Sequence, residues 1–411
     1  MQIFITTNSP GEISGWLKPL VKKLKQEKRE VKIVVVILPC QYAGGREEKV
    51  VHSFQEIDYV INPKEYLKYI LWGIKPSRIT LEKRGVIVFL GGDPLHALLL
   101  SKRLKFPAVA YIQKPRWKNY FTKFMVIDEG IKKKFLEKGI KPQQVRVVGD
   151  LMADTLELQI PKEKIYKLWH LNRENFIISL MPGSRLYQTK YLIPFFLRVG
   201  EIIKSRFPYS QFLLLLSPFI PVEEVKKLAE NPSSKFLEGT EFKFKKEKDK
   251  IKLKSKEGLE VLVITTNQYD ALNISDLLLT IPGTNTAQAG FLGIPMVVVI
   301  PLNKPELIPL DGWPGLVEKI IPFGSLLKRA LVKKYSKTLC FAALPNRKAN
   351  KKIVPELKGI IKAKEVAQEA IKLLENSSRR EEISYKLKEI MGGKGASNKM
   401  VNVIYQVMEE K

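Results

Sequence analysis

Gly283 and Thr284 stand where an apolar strand hands over to a helix, a place at which backbone chemistry alone can hold an anion. Leu277, Leu278 and Leu279 form a continuous apolar run inside a strand read over 276–281, as suits a parallel strand buried on both faces. A helix over 284–292 follows, with Thr284 placed to cap first-turn N–H groups that have no internal partner. Gly293 and Pro295 end that helix, and Met296–Ile300 begins a second buried strand. This βαβ unit suits a phosphate or diphosphate at its helix N-terminus, although any α/β protein contains several turns of this form. Ser184 and Arg185 follow another strand, Phe176–Leu180, and a guanidinium can fork onto phosphate oxygens; a surface ion pair is its plainer use. In the first half, Glu12 and Ser14 lie in a loop bracketed by Gly11 and Gly15, where the chain can approach a ligand closely or simply turn tightly. Gly91-Gly92-Asp93 closes a further strand, and Asp93 before Pro94 has the form of a helix cap.

The elements that must position these residues alternate regularly. Ile3–Thr6, Val31–Leu38, Val86–Leu90, Ala108–Ile112, Phe124–Ile127 and Val145–Val148 read as short apolar strands. Helices are expected between them, at Ser14–Lys25, Pro94–Leu104 and Gly130–Lys138, with a turn at Gly44-Gly45. The second half repeats the scheme with strands Phe176–Leu180, Phe212–Leu216 and Leu259–Ile264, and helices Tyr187–Ser205 and Val222–Glu230. Such alternation predicts an α/β fold with two doubly wound, Rossmann-like parallel-sheet domains facing across a cleft. Ligands in such sheets sit beyond the carboxyl ends of the strands, which places the loops Asn8–Gly15 and Gly91–Asp93 at the mouth of the first sheet. Pro161 and a charged cluster mark the boundary, giving domains over 1–160 and 161–362, then helices over 363–411.

Composition narrows the classes. A chain of 411 residues with 45% hydrophobic content has ample core for two domains, and no apolar run reaches the roughly 18–20 residues that span a bilayer. Met1–Thr7 lacks the basic region and cleavage site of a signal peptide, so a cytoplasmic protein is expected. Two cysteines in separate halves and three histidines argue against a disulfide framework or a metal site. The net charge of +28 attracts nucleic acid, anionic lipid headgroups or phosphorylated substrates, although lysine-rich surfaces are also common in heat-adapted proteins. The densest run, Lys243–Lys256, alternates lysines with Phe242, Phe244, Ile251 and Leu253, the pattern of an edge hairpin whose lysines discourage further pairing; a specific anion-binding patch is the alternative.

Taken in order, these residues resemble the lipid-A-disaccharide synthase family of GT-B glycosyltransferases, and more closely a divergent branch related to it. The resemblance is carried by Gly11-Glu12-Ile13-Ser14-Gly15, Gly91-Gly92-Asp93, Leu180-Met181-Pro182-Gly183-Ser184-Arg185, Gly283-Thr284 with Pro295–Val298, and Leu344-Pro345-Asn346 followed by Ile353–Leu357. Gly149 and Met152-Ala153-Asp154 fall in register between them. It implies inverting transfer of an acylated amino sugar from a UDP-sugar to a lipid-linked sugar phosphate, with no metal or cofactor. Asp93 is then the candidate base, with Glu12 and Ser14 beside it and Gly11, Gly15 and Gly92 shaping the acceptor loops. Ser184, Arg185, Gly283, Thr284, Gln288 and Asn346 fall to the donor. The C-terminal helices over 363–411 are expected to cross back to the first domain. Two positions depart from the family: Trp16 stands where it has an aspartate, and Gln288 where it has a ribose-binding glutamate.

Tyr66–Lys75 mixes aromatics, aliphatics and lysines as a headgroup-layer helix does, and the comparable family region is thought to face the bilayer. Trp313–Val332 is a second candidate of this kind; an amphipathic helix packed on the core is the ordinary alternative for both. Peripheral association with the anionic inner face of the cytoplasmic membrane is therefore expected. The apolar 307–340 segment and the final helices are expected to offer a homodimer surface. Two other classes compete: an NDP-sugar epimerase of the same architecture, and a basic nucleic-acid-binding protein, against which stands the lack of aromatics interleaved with basic residues in a binding module.

Overall fold

The apolar runs become the central strands of two sheets in a computed structural model that describes residues 1–27, 29–39, 46–76, 79–230, 237–247, 250–303 and 340–410. Two compact units result: residues 1–156 with 393–411, and residues 157–392. The Gly44-Gly45 turn, the Trp313–Val332 candidate and the 307–339 part of the expected dimer segment lie outside the described residues.

In the first unit the strands are β1 (Gln2–Thr7), β2 (Lys32–Ile37), β3 (Tyr59–Ile61), β4 (Gly85–Phe89), β5 (Ala108–Tyr111), β6 (Lys123–Val126) and β7 (Val145–Val147). They pair in the order β3-β2-β1-β4-β5-β6-β7, every pair parallel. Ile3, Ile33, Val34, Val86, Ile87 and Val88 are buried, as a sheet covered on both faces requires. The chain winds outward from β1 to β3 and then returns to place β4 beside β1. The loops leaving these two neighbours therefore diverge to opposite faces, and the crevice between them is the topological switch point where such sheets bind ligands.

The second unit repeats this logic with β8 (Ile177–Met181), β9 (Gln211–Leu215), β10 (Phe242–Glu247), β11 (Lys250–Ser255), β12 (Glu260–Ile264), β13 (Leu277–Thr280), β14 (Met296–Pro301) and β15 (Glu356–Gly359). Their order is β10-β11-β12-β9-β8-β13-β14-β15, and the switch point falls between β8 and β13. Among the described residues, only the lysine-rich hairpin β10–β11 and its join to β12 are antiparallel. Lys243 faces Lys254 and Lys245 faces Lys252 across that hairpin, like charges that weaken the ladder by a few tenths of a kcal/mol and repel a further strand. Glu260 offsets part of this, lying 3.7 Å from Lys252 and 3.8 Å from Lys254.

The C-terminal helices divide differently from the expectation. Helices Ala363–Glu375 and Ser377–Met391 pack in the second unit, and only Ala396–Glu409 returns to the first, so the crossover falls at Gly392-Gly393 and not at residue 363. The reason is local chemistry. Asp154 accepts from the backbone N–H of Gly395 and Ser397 at 2.6 Å each and from the Ser397 hydroxyl at 2.7 Å, fastening the start of the last helix to the end of the first unit. Met400, Val401 and Ile404 are buried against that unit, while Ile383 and Leu387 are buried in the other. The apolar faces of the final helices are thus used within their own units. Among the described residues no helix is long and apolar enough to cross a membrane.

Candidate active site

At the first switch point the motif expected to be a glycine-bracketed loop is helical. Ser9 caps a short helix, Pro10–Glu12, that runs through a π-helical turn, Ile13–Leu17, into helix Lys18–Gln26. Gly15 is buried, and a Cβ there would lie 3.2 Å from Met152, so glycine serves close packing. The Ser14 hydroxyl donates to the Pro10 carbonyl at 2.7 Å, a local bond within the helix. Glu12 accepts from the backbone N–H groups of Asn8 at 3.0 Å, Ser9 at 3.2 Å and Gly92 at 3.4 Å. A Cβ on Gly91 would stand 2.0 Å from a Glu12 carboxylate oxygen, so glycine is needed for the two loops to meet. Burial raises the Glu12 carboxyl above its ordinary value, and the three N–H donors oppose that. The carboxylate expected to do chemistry instead ties the β1 loop to the β4 loop.

Asp93 is the cap its sequence position suggested and also more than that. Its Oδ1 accepts from Leu95 N at 2.9 Å at the start of helix Pro94–Leu104, and its Oδ2 is 3.1 Å from Arg116 Nη2. Both side chains are about half exposed, so the carboxylate remains reachable. One turn on, His96 Nδ1 lies 2.7 Å from the Tyr66 hydroxyl of helix Pro63–Trp72, and burial lowers the imidazole's basicity. That helix buries Tyr66 and Tyr69 and leaves Leu71 64% and Trp72 68% exposed, with Ile74 just beyond also exposed. Trp16 packs edge-on to Tyr111, whose hydroxyl donates to the Gly149 carbonyl and accepts from Leu151 N.

At the second switch point Gly183-Ser184-Arg185 follows β8, and Pro282-Gly283-Thr284 follows its neighbour β13. Gly283, not Thr284, is the residue before the first turn of helix Thr284–Leu292, and among the described residues no side chain caps that turn. Its φ of 144° favours glycine, whereas nothing lies within 4 Å of where a Cβ would stand, so conformation and not space demands glycine. Arg185 is half-buried, with its Nε withdrawn from water and without a hydrogen-bond partner among the described residues, an orphan donor at the same switch point as the uncapped turn. Gln288 is buried one turn into the helix, its amide nitrogen donating to the Tyr269 hydroxyl at 3.0 Å.

Asn346 does not join this group. It is fully buried, donates to the Val354 carbonyl at 2.9 Å and to Glu356 at 2.7 Å, and accepts from Ile353 N at 2.7 Å and Val354 N at 2.9 Å. With both ends of its amide committed, it braces the chain before β15 and has no group left for a nucleotide. The Pro-Asn motif was visible in the sequence, but its role depended on Glu356, ten residues later, which also accepts from Ala342 N and Ala343 N. Arg116 was missed as well. Its only signal was a lone arginine among lysines after β5, the strand beside the one that delivers Asp93.

No family model matches the chain. It is similar to lipid-A-disaccharide synthase 2 of Legionella pneumophila strain Paris, 26% identical over 250 residues, 60% of this chain and 52% of that protein; the chain thus spans about half the length of this relative. The lipid-A-disaccharide synthase of Nitrosococcus oceani is 24% identical over 417 residues, 97% of this chain and 95% of that protein. Among solved structures, the Staphylococcus aureus MnaA–UDP complex aligns with a TM-score of 0.57 at 13% identity, covering 99% of this chain and 97% of that one. The architecture is GT-B.

Proposed function

We propose, on its similarity to the lipid-A-disaccharide synthases, that this chain is an inverting glycosyltransferase. It moves an acylated amino sugar from a UDP-sugar to a lipid-linked sugar phosphate. The observation that carries the donor half is the pairing of an uncapped helix N-terminus at Gly283-Thr284 with the orphan Arg185 Nε at the β8/β13 switch point. A diphosphate satisfies both: the helix end presents N–H groups and a positive dipole, and the guanidinium adds a charge-assisted bond. Negative charge grows on UDP as it departs, so donors fixed beforehand stabilise the transition state more than the ground state. Ser184 adds a hydroxyl, and Gln288, steadied by Tyr269, selects the ribose.

Asp93 is the base. The acceptor hydroxyl gives it a proton while the oxygen attacks the anomeric carbon, the bond to UDP breaks, and UDP leaves with the electron pair. Glu12 is a positioning residue whose contacts with Asn8, Ser9 and Gly92 hold the two acceptor loops in register. The exposed Leu71, Trp72 and Ile74, flanked by Lys68 and Lys75, seat this unit on an anionic membrane from which a lipid acceptor is drawn.

Calorimetry with UDP, ADP and GDP tests the donor site. UDP-selective binding by the wild type, weakened about 10- to 100-fold by Arg185→Ala, is expected from loss of one charge-assisted bond. Equal binding of the three nucleotides, or binding indifferent to Arg185→Ala, refutes the assignment. Conversion of the UDP-sugar to an epimeric UDP-sugar, with no lipid acceptor and no net UDP release, favours an epimerase.

A further inference from the structure

We propose that Arg116 is the ligand for the acceptor's phosphate, and that Asp93 becomes a free base only when that phosphate draws Arg116 away. The inference rests on the reading that the acceptor is a sugar phosphate. Arg116 meets Asp93 through a single contact, Nη2 to Oδ2 at 3.1 Å, with the two side chains 51% and 47% exposed. A monodentate, half-hydrated pair of this kind is weak. A phosphate carries more charge than a carboxylate and offers the guanidinium two parallel bonds, so it outcompetes Asp93 for Arg116.

The surroundings let the arginine move while everything else stays. The loop that carries it is pinned on both sides: Gln113 Oε1 accepts from Ile127 N at 3.1 Å, and Tyr120 N donates to the Trp117 carbonyl at 3.0 Å. Trp117 sits at φ 55°, a left-handed conformation that fixes the turn directly after Arg116. Asp93 keeps its orientation without Arg116, because its other oxygen holds Leu95 N. Lys114 is exposed in the same loop and adds positive charge. Trp117 and Tyr120 stack edge-on at 6.0 Å and are exposed, an apolar shelf beside the cation that fits an acyl chain next to a phosphate.

In this arrangement the resting enzyme holds its base in an ion pair, and a phosphorylated acceptor exchanges that pair for its own. The acceptor hydroxyl then gives its proton to the released Asp93 Oδ2. An acceptor lacking the phosphate leaves Arg116 in place and reacts slowly.

The test compares wild type, Arg116→Gln and Arg116→Lys on acyl-glucosamine 1-phosphate and on the same acceptor without its phosphate, following UDP release. The wild type is expected to prefer the phosphorylated acceptor in kcat/KM by about 10- to 100-fold, the worth of one charged hydrogen-bonded contact. Arg116→Gln should lose that preference by raising KM for the phosphorylated acceptor and by speeding turnover of the other acceptor, for which Asp93 is then unpaired; Arg116→Lys should keep part of it. An equal fall on both acceptors marks a merely structural ion pair and overturns the proposal, as does an unchanged preference. Binding of glucosamine 1-phosphate, measured by calorimetry without any donor, is expected to weaken in Arg116→Gln. That readout is independent of turnover: absence of transferase activity would sink the broader reading, whereas glucosamine 1-phosphate binding indifferent to Arg116→Gln would sink this one.

Discussion

Replacing Asn346 with alanine is expected to cost stability and leave nucleotide affinity intact. The side chain is 0% exposed and makes four hydrogen bonds between 2.7 and 2.9 Å. Its removal strands the N–H groups of Ile353 and Val354 and the Val354 carbonyl in the interior, while Glu356 retains Ala342 N and Ala343 N. Each buried polar group left without a partner costs about 1–3 kcal/mol, and a water entering the vacated space recovers part of that. A net loss of about 3–5 kcal/mol follows, a fall in Tm of roughly 10 °C for a unit of this size. Asn346→Asp should also destabilise, since it keeps the acceptor but loses the donor and sets a second carboxylate against Glu356. Urea denaturation combined with UDP calorimetry at a temperature where every variant is folded separates stability from binding. Asn346→Ala with unchanged unfolding free energy and lost UDP affinity would refute the reasoning and return Asn346 to the donor site.

Two further outcomes are expected. His96 should titrate below the ordinary histidine value because burial disfavours its charged form. Its folded pKa is depressed, so its contribution to stability is present above about pH 6.5 and is lost as pH falls through the folded value. With only three histidines in the chain, imidazole NMR can follow it directly, and a midpoint at or above about 6.5 would contradict the burial argument. The full chain should float with anionic liposomes, and Leu71→Ser with Trp72→Ser should reduce this sharply while raised salt reduces it partly. Absence of wild-type association, or association that the double variant retains, removes the membrane face.

Much of the fold was legible because burial on both faces writes parallel strands as unbroken apolar runs. Leu277–Leu279, Ile33–Ile37 and Val86–Phe89 could be read without knowing their neighbours. The short edge strands at Tyr59–Ile61 and Glu356–Gly359 were not read, although the equally short edge strand Val145–Val147 was. The loops Gly91–Asp93, Gly183–Arg185 and Gly283-Thr284 were placed at strand ends by the same reading, and the switch points hold all three. Roles within those loops were less legible. Gly11–Gly15 has the composition of a flexible loop, yet Ser9 and Pro10 start a helix there and Glu12 closes its capping box.

The amino-acid sequence by itself determined the alternating α/β plan, its two sheets and the glycine-marked turns, because these follow from local preference and from the period of apolar residues. Only the tertiary structure decided which polar side chains remain available for chemistry. Glu12 is claimed by backbone groups of two loops, Asn346 by a strand ten residues away, and Asp93 by an arginine from the next strand's loop. A hydrogen-bond partner distant in the chain leaves no mark on the period of the sequence, and how fully a carboxylate is occupied depends on such partners as well as on local ones.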